Sequence, residues 1–155
     1  MKLITYLRPE YVEIGIRAAS KDELISTMVE IAARNPNVLD KSKVATAITE
    51  RERIMSTGVG KGFAIPHGKT DAVSDIVLAF GVTAEPVDYA SMDNEPVRLV
   101  LLLVSRESDV GVRLKLLSRA SKVMNSESAR KALTEATSKE EVLEIFRSEE
   151  EKIGD

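Results

Sequence analysis

Apolar positions in this chain fall into two patterns, short runs that are almost wholly apolar and longer stretches with helical spacing. The apolar runs predict strands at Tyr11 to Ile16, Phe63 to Ile65, Ile76 to Val82 and Val97 to Val104. Strands that are apolar on both faces suit a central sheet covered by helices better than an exposed meander. We therefore predict an α/β fold with a mixed central β-sheet and α-helices on both sides.

Polar caps followed by apolar residues at three- and four-residue steps predict five helices. They begin at the capping box Ser20 to Glu23, after Asp40, near Ser108 or Asp109, at about Glu127, and at the capping box Ser138 to Glu141. The first ends at Asn35-Pro36-Asn37, because proline disfavours the α conformation in the residue before it, and the fourth ends near Glu135. Residues 149–155 are expected to form a frayed tail.

Length and composition narrow the class of protein. The 155 residues fit one domain, 1–155, and a net charge of -3 with mixed signs argues against a dedicated nucleic-acid binder. The chain has no cysteine, which is compatible with a reducing compartment. The longest apolar run, Leu99 to Val104, is far shorter than the roughly 20 residues of a membrane helix, and no export signal is visible. We expect a soluble, cytoplasmic protein without direct membrane insertion.

The stretch STGVGKGFAIPHGK, Ser56 to Lys69, contains His67, the only histidine in the chain. Its glycines permit backbone conformations that other residues resist, so we predict a loop over Met55 to Gly62 and a Pro-His-Gly turn. Neither common nucleotide motif fits. The dinucleotide fingerprint fails because Phe63 stands where its third glycine belongs, and the phosphate loop fails because Lys61 precedes Gly62 instead of serine or threonine.

The scarcity of reactive side chains directs attention to His67 itself. One histidine and no cysteine cannot make a typical zinc site, and no G-x-S-x-G elbow accompanies the histidine. A neutral imidazole nitrogen can attack phosphorus, and a bond from the other ring nitrogen to a carbonyl would fix the tautomer. Backbone N–H groups of the loop, with Gly58, Gly60 and Gly68 as candidates, and a nearby cation would suffice without metal or cofactor. The alternative is that His67 is a hydrogen-bonded turn residue.

Together these motifs resemble the enzyme IIA component of the bacterial phosphotransferase system, of the fructose and mannitol type that includes nitrogen-regulatory members. The resemblance covers nearly the whole chain. The residues that carry it are Arg51-Glu52, Ser56 to Gly60, Gly62 to Gly68, Pro86 to Tyr89, Asp93, Pro96-Val97 and Leu114 to Leu117.

The resemblance implies a role for each matching residue. His67 would take a phosphoryl group from the phosphohistidine of a small histidine phosphocarrier protein and pass it to a cysteine of a IIB-type protein. Arg51 would lie close to the phosphoryl group, and Ser56 and Thr57 would help build the site through hydroxyl and backbone N–H groups. The alternatives are a solvated helix end for Arg51 and loop residues that satisfy their own backbone for Ser56 and Thr57.

Two positions depart from the family pattern. Arg113 stands where members often carry a second histidine, and Met55 stands where glycine is common. Arginine is a permanent cation that stabilises phosphoryl oxygens but cannot relay a proton as histidine does. We therefore expect Arg113 to act as an anion clamp.

Partners follow from the same resemblance. A free-standing IIA protein of this size is similar to the nitrogen-regulatory kind, which binds regulatory target proteins, and a separately encoded fructose or mannitol IIA would look much the same. The alternative class is a non-catalytic IIA-like module that signals by contact. Phe63, Ile65 and Val59 are candidates for an apolar docking patch around His67, although each suits the core equally.

Overall fold

The computed structural model describes residues 1–154 and contains, within them, one six-stranded sheet and five α-helices. The strands are Val12–Ile16 (β1), Gly58–Gly60 (β2), Phe63–Ala64 (β3), His67–Lys69 (β4), Val77–Val87 (β5) and Val97–Ser105 (β6). The helices are Lys21–Ala32 (α1), Lys41–Ile54 (α2), Val110–Met124 (α3), Glu127–Glu135 (α4) and Lys139–Ile153 (α5). Two short 3-10 helices, Leu3–Thr5 and Pro9–Tyr11, precede β1.

The sheet is mixed, as predicted. Its order is β1-β5-β6-β3-β2, and β4 also pairs with β6. The central strands β5 and β6 are antiparallel, whereas β1 joins β5 and both β3 and β4 join β6 in parallel. Because β3 and β4 follow one another along the same side of β6, the chain between them returns to the sheet at His67.

Helices cover both faces of the sheet, and the two central strands are buried almost throughout. Leu101 and Leu103 of β6 belong to a core cluster on the side of α3, α4 and α5. Their neighbours Leu102 and Val104 belong to a second cluster on the side of α1 and α2. This alternation explains why β6 is apolar at nearly every position, and the predicted fold class is confirmed.

Four of the five predicted helix starts are confirmed by side-chain caps, and α3 begins at Val110 after Asp109 as predicted, without a side-chain cap bond. The side chains of Ser20, Asp40 and Ser138 accept hydrogen bonds from the backbone N–H groups of the residues three positions on. Ser126 caps α4 in the same way. These bonds are local, which is why the sequence pattern located them. No helix within residues 1–154 is both long and apolar enough to cross a membrane.

Two predicted irregular segments are strands in the structure. The predicted loop over Met55 to Gly62 contains β2, which pairs antiparallel with β3. The predicted Pro-His-Gly turn overlaps β4, in which His67 pairs with Leu103. β5 also continues beyond Val82, where the apolar run predicted its end, and ends at Val87. Partner strands distant in sequence supply these backbone hydrogen bonds, so the local glycine and proline signals did not indicate them.

The frayed tail predicted for residues 149–155 is wrong as far as the structure describes it. α5 continues to Ile153, and Glu150 is fully buried. Its carboxylate accepts bonds from Leu3 N at 2.8 Å, from Ile4 N at 2.9 Å and from Arg119 Nε at 2.8 Å. The many charged residues in this segment suggested a frayed end, whereas these hydrogen bonds hold the end of α5 to the rest of the fold. Asp155 lies outside the described residues.

The site region forms where β4 passes between α2 and the end of β6. A Cβ atom added to Gly68 would lie 3.1 Å from the carbonyl carbon of Ala47 and 3.3 Å from its Cβ, so the strand touches the helix there. Arg51 follows Ala47 by one helical turn and therefore lies on the same face of α2. Ser105 ends β6 opposite Lys69, just before the chain enters α3.

Candidate functional site

His67 opens β4 directly after Pro66 and is half-buried. The carbonyl of Pro66 accepts a bond from Leu103 N at 3.0 Å, which fixes the backbone on the N-terminal side of the histidine. The ring is therefore carried by paired strand backbone, a more rigid support than the predicted turn.

The imidazole is oriented by a single backbone carbonyl. Nδ1 lies 2.9 Å from the carbonyl oxygen of Ile65. A carbonyl oxygen only accepts, so Nδ1 carries the proton and donates it, and Nε2 of the neutral ring keeps its lone pair. This is the arrangement that the sequence argument requires of a histidine nucleophile.

The surroundings favour that neutral ring. Burial lowers the pKa of His67 below its usual value and is the largest effect, and the positive charges of Arg51 and Arg113 lower it further. The bond to Ile65 and the charge of Glu52 oppose the shift without reversing it. The imidazole is thus unprotonated, and nucleophilic, at neutral pH.

A cleft of about 410 Å³ opens beside the ring. It is lined by Ala47, Glu50, Arg51, Ile54, His67, Gly68, Lys69, Glu107 and Arg113. Four residues named as site candidates from the sequence, His67, Gly68, Arg51 and Arg113, therefore lie together. A larger cleft, of about 620 Å³, lies between α1 and α2 and does not include His67.

The two arginines reach the cleft from different helices. Arg51, in the last turn of α2, donates from Nη1 to the carbonyl of Met55 at 2.9 Å. Arg113, in the first turn of α3, donates from Nη1 to Ser105 Oγ at 2.7 Å. These bonds involve one nitrogen of each guanidinium, and the remaining N–H groups are available to an anion in the cleft.

Ser56, Thr57, Gly58 and Gly60 do not line this cleft. Ser56 Oγ donates to the carbonyl of Tyr89 at 3.2 Å and accepts from Gly58 N at 3.1 Å. Both hydrogen bonds of its hydroxyl are therefore made to backbone groups of the surrounding loops. Gly60 has a φ of 104° and lies against Asp93, whose carboxylate accepts from Lys61 N at 2.9 Å. These residues shape the segment that leads to β3.

Thr57 belongs to a buried polar network that sequence reasoning missed. Its backbone N–H donates to Glu52 Oε2 at 2.7 Å, and its hydroxyl bonds to Glu52 Oε1 and to the hydroxyl of Tyr89. Lys21 Nζ forms an ion pair with Glu52 at 2.9 Å and lies 4.6 Å from the centre of the Tyr89 ring. The signal available in the sequence was that Glu52, Thr57 and Tyr89 all belong to the motifs that carry the family resemblance.

The network holds Glu52 as a carboxylate. Burial acts to raise the pKa of Glu52, but the bonds from Thr57 and the charge of Lys21 outweigh it and lower the pKa. Burial raises the pKa of the Tyr89 phenol, which stays protonated and donates to Glu52 at 3.2 Å. The charge of Glu52 is therefore permanent near neutral pH.

The predicted docking patch needs correction. Phe63 and Ile65 are buried in the core, whereas Val59 is 55% exposed. Among the exposed apolar side chains, Ile54 lines the cleft and Leu114 follows Arg113 in α3. Both Phe63 and Ile65 belong to the core cluster on the side of α3, α4 and α5.

The chain resembles proteins of one family. Residues 5–149 match the family model described as phosphoenolpyruvate-dependent sugar phosphotransferase system, EIIA 2. The chain is 34% identical over 146 residues to a fructose-specific EIIABC component of Bacillus subtilis, covering 94% of this chain and 23% of that protein. It is 34% identical over 137 residues to a fructose-specific EIIA component of Haloferax volcanii, covering 88% and 89% of the two chains.

Solved structures agree with this match. The nitrogen regulatory protein IIA-Ntr from Neisseria meningitidis superposes with a TM-score of 0.88 at 30% identity, covering 93% of this chain and 98% of that one. Enzyme IIAMtl of Escherichia coli, solved in complex with phosphorylated enzyme IIBMtl, gives a TM-score of 0.80 at 25% identity and covers 92% and 97%.

Proposed function

Because the chain belongs to the EIIA 2 family of the phosphoenolpyruvate-dependent sugar phosphotransferase system, we propose that it is a phosphocarrier that works through a covalent phosphohistidine at His67. The observation that supports this most directly is the bond from His67 Nδ1 to the carbonyl of Ile65. That bond leaves Nε2 with its lone pair, in a cleft that also contains Arg51 and Arg113.

The transfer step requires little of the protein beyond position and charge. Nε2 of His67 attacks the phosphorus atom of a donor phosphohistidine, an Nε2–P bond forms, and the donor's P–N bond breaks. The electron pair of the broken bond stays on the donor nitrogen, and the Nδ1 proton of His67 stays on its bond to Ile65. In the second half, a cysteine thiolate of the acceptor attacks the same phosphorus, and the lone pair returns to Nε2.

Arg51 and Arg113 are proposed to stabilise the phosphoryl oxygens. Both line the cleft, and both lower the pKa of His67, as cations close to the ring must. Arg113 supplies a fixed charge that needs no protonation. Ser56, Thr57, Gly58 and Gly60 act indirectly by shaping the approach to β3, and Gly68 lets β4 lie against α2.

The proposed donor is a histidine phosphocarrier protein, and the proposed acceptors are a IIB-type protein or regulatory target proteins. The solved relative in complex with phosphorylated enzyme IIBMtl supports the first acceptor. The exposed apolar side chains of Ile54, which lines the cleft, and of Leu114, which follows Arg113 in α3, suit transient docking. We place these exchanges in the cytoplasm, which suits a chain without cysteine.

We favour the nitrogen-regulatory role over sugar uptake. The TM-score of 0.88 to the nitrogen regulatory protein, against 0.80 for the mannitol enzyme, supports this preference. The identity of 34% to fructose-specific relatives supports the sugar role instead. If this chain binds a IIB protein, and if that binding depends on the phosphorylation state of the chain, the sugar-uptake role would be favoured.

The experiment is intact mass after incubation with phosphoenolpyruvate, enzyme I and a histidine phosphocarrier protein. We expect the chain to gain one acid-labile phosphoryl group, and His67→Ala to gain none. Arg53→Ala is the control, because Arg53 lies outside the His67 cleft and is expected to be phosphorylated as the wild type is.

One observation favours a second candidate, a non-catalytic IIA-like module that binds regulatory proteins. Arg113 occupies the position at which members often carry a second histidine, and one of its nitrogens is already bonded to Ser105. Absence of phosphorylation with several carrier proteins would support this candidate and contradict the phosphocarrier.

A further inference from the structure

The Glu52 carboxylate is buried and holds one residue through two bonds. The side chain is 6% exposed, and its oxygens accept from the backbone N–H and the hydroxyl of Thr57. An ionised carboxylate only accepts, so both bonds have a fixed direction. Lys21 and Tyr89 approach the same carboxylate from two other elements and fix its orientation.

Thr57 in turn connects to His67 through one residue. The carbonyl of Thr57 accepts from Ile65 N at 3.0 Å, and the carbonyl of Ile65 accepts from His67 Nδ1 at 2.9 Å. Glu52 therefore reaches the nucleophile through two intervening residues, each held by a hydrogen bond. The other carboxylate bridging α1 and α2, Glu30, pairs with Lys41 and makes no such connection.

We propose that Glu52 is a positioning residue for His67. It fixes Thr57, Thr57 fixes Ile65, and the carbonyl of Ile65 then holds the ring with its proton on Nδ1 and with Nε2 facing the cleft. The proposal rests on the proposed function, since it explains how that nucleophile keeps its tautomer. Lys21 and Tyr89 support Glu52 and do not contact the reacting group.

The position of the carboxylate, more than its charge, should matter. Glu52→Gln keeps the length of the side chain and an oxygen for Thr57 N. Glu52→Asp keeps the charge but withdraws the oxygens by one methylene, so the contact at 2.7 Å to Thr57 N is lost. A role through position predicts that the glutamine variant resembles the wild type and that the aspartate variant resembles Glu52→Ala. A role through charge predicts that the aspartate variant resembles the wild type and that the glutamine variant resembles Glu52→Ala.

The readout is the tautomer of His67, measured without any phosphoryl transfer. An untagged chain labelled with 15N-histidine has a single histidine, so its two ring-nitrogen shifts report the proton position directly. At a pH where the ring is neutral, we expect the proton on Nδ1 in the wild type, in Glu52→Gln and in the control Glu30→Ala. We expect a clear shift of the proton toward Nε2 in Glu52→Ala and Glu52→Asp.

The transfer rate from the phosphorylated donor provides the second readout. A displaced nucleophile should lower the rate at saturating donor by at least about ten-fold in Glu52→Asp, with little change in Glu52→Gln and Glu30→Ala. If Glu52→Ala does not fold, the aspartate and glutamine pair still decides the question.

An unchanged tautomer in folded Glu52→Asp, or a shifted tautomer in Glu52→Gln, would overturn the proposal. Failure of the proposed function looks different. The wild type would then show the Nδ1 tautomer and its dependence on Glu52 but would accept no phosphoryl group.

Discussion

At the scale of the residue, the proposed phosphoryl transfer depends on how the His67 ring is held. The ring donates from Nδ1 to a backbone carbonyl, and its pKa is lowered first by burial and then by two arginines. Arg113 helps to keep the His67 ring neutral, in addition to its proposed role on the phosphoryl group. A histidine at position 113 could make only part of this contribution, because it loses its charge near neutral pH.

Replacement of Arg113 is therefore expected to raise the pKa of His67. Arg113→Gln removes one of the two positive charges that oppose protonation of the ring. An NMR titration of the single histidine measures the shift, and Arg53→Gln is the control on α2 because Arg53 lies outside the His67 cleft. A His67 pKa that falls or does not change in Arg113→Gln would contradict the assigned electrostatics.

The lowered pKa of His67 in the folded protein makes the stability of the fold depend on pH. The unfolded chain binds the His67 proton with a pKa of about 6.5, whereas the folded protein binds it less readily. The contribution of His67 to the free energy of unfolding is fully present above about pH 6.5 and is lost as the pH falls through the lower folded-state pKa. Arg113→Gln should narrow the pH range over which this contribution is lost, because it raises the folded-state pKa of His67 toward the unfolded value.

At the scale of the element, the site depends on close contact between β4 and α2. Gly68 lies against the backbone and Cβ of Ala47, and Arg51 follows on the same helical face. The distance between strand and helix thus sets the distance between His67, the proposed nucleophile, and Arg51. Backbone atoms on both sides leave little freedom to adjust.

Gly68→Ala is expected to push the strand and the helix apart. The added methyl group would lie 3.1 Å to 3.3 Å from Ala47 atoms, and we expect a loss of about 1–3 kcal/mol in the free energy of unfolding together with slower phosphorylation. Urea denaturation and intact mass at short times measure the two effects. Gly111→Ala in α3 is the control, because nothing lies within 4 Å of the added carbon, and it should be neutral or stabilising by up to about 1 kcal/mol. Equal stabilities of the two variants would contradict the close contact.

At the scale of the whole molecule, one buried ion pair joins the chain ends to the helix that bears Arg113. Glu150 of α5 binds Arg119 of α3 and the N–H groups of Leu3 and Ile4. Arg119 also donates to the carbonyl of Gly154 at 2.8 Å. The C-terminal helix is therefore a structural part of the domain.

Glu150→Ala should be strongly destabilising. It leaves the Arg119 guanidinium buried without its partner and removes the acceptor for two backbone N–H groups, for an expected loss of about 3–5 kcal/mol in the free energy of unfolding. Glu144→Ala, which breaks an exposed pair with Arg147 on the same helix, should cost less than about 1 kcal/mol. A similar small loss in both variants, measured by urea denaturation, would show that the pair does not anchor α5.

Local sequence was sufficient for much of the fold. Helix starts at Ser20, Asp40 and Ser138 depend on a side chain and an N–H group three residues apart, so the pattern located them. The apolar runs of β5 and β6 indicated a sheet buried on both faces. His67 stood out because it is the only histidine, and Arg51 and Arg113 were found through motif positions.

Contacts between distant segments decided the rest. Pairing with β6 made His67 part of a strand, and packing against the core on the side of α3, α4 and α5 buried Phe63 and Ile65. The network of Glu52, Thr57 and Tyr89 joins residues up to 37 positions apart, and the anchor at Glu150 joins residues 147 positions apart. Each such bond depends on where the folded backbone places its partner, and short-range hydrophobic patterns and capping signals carry no information about that position.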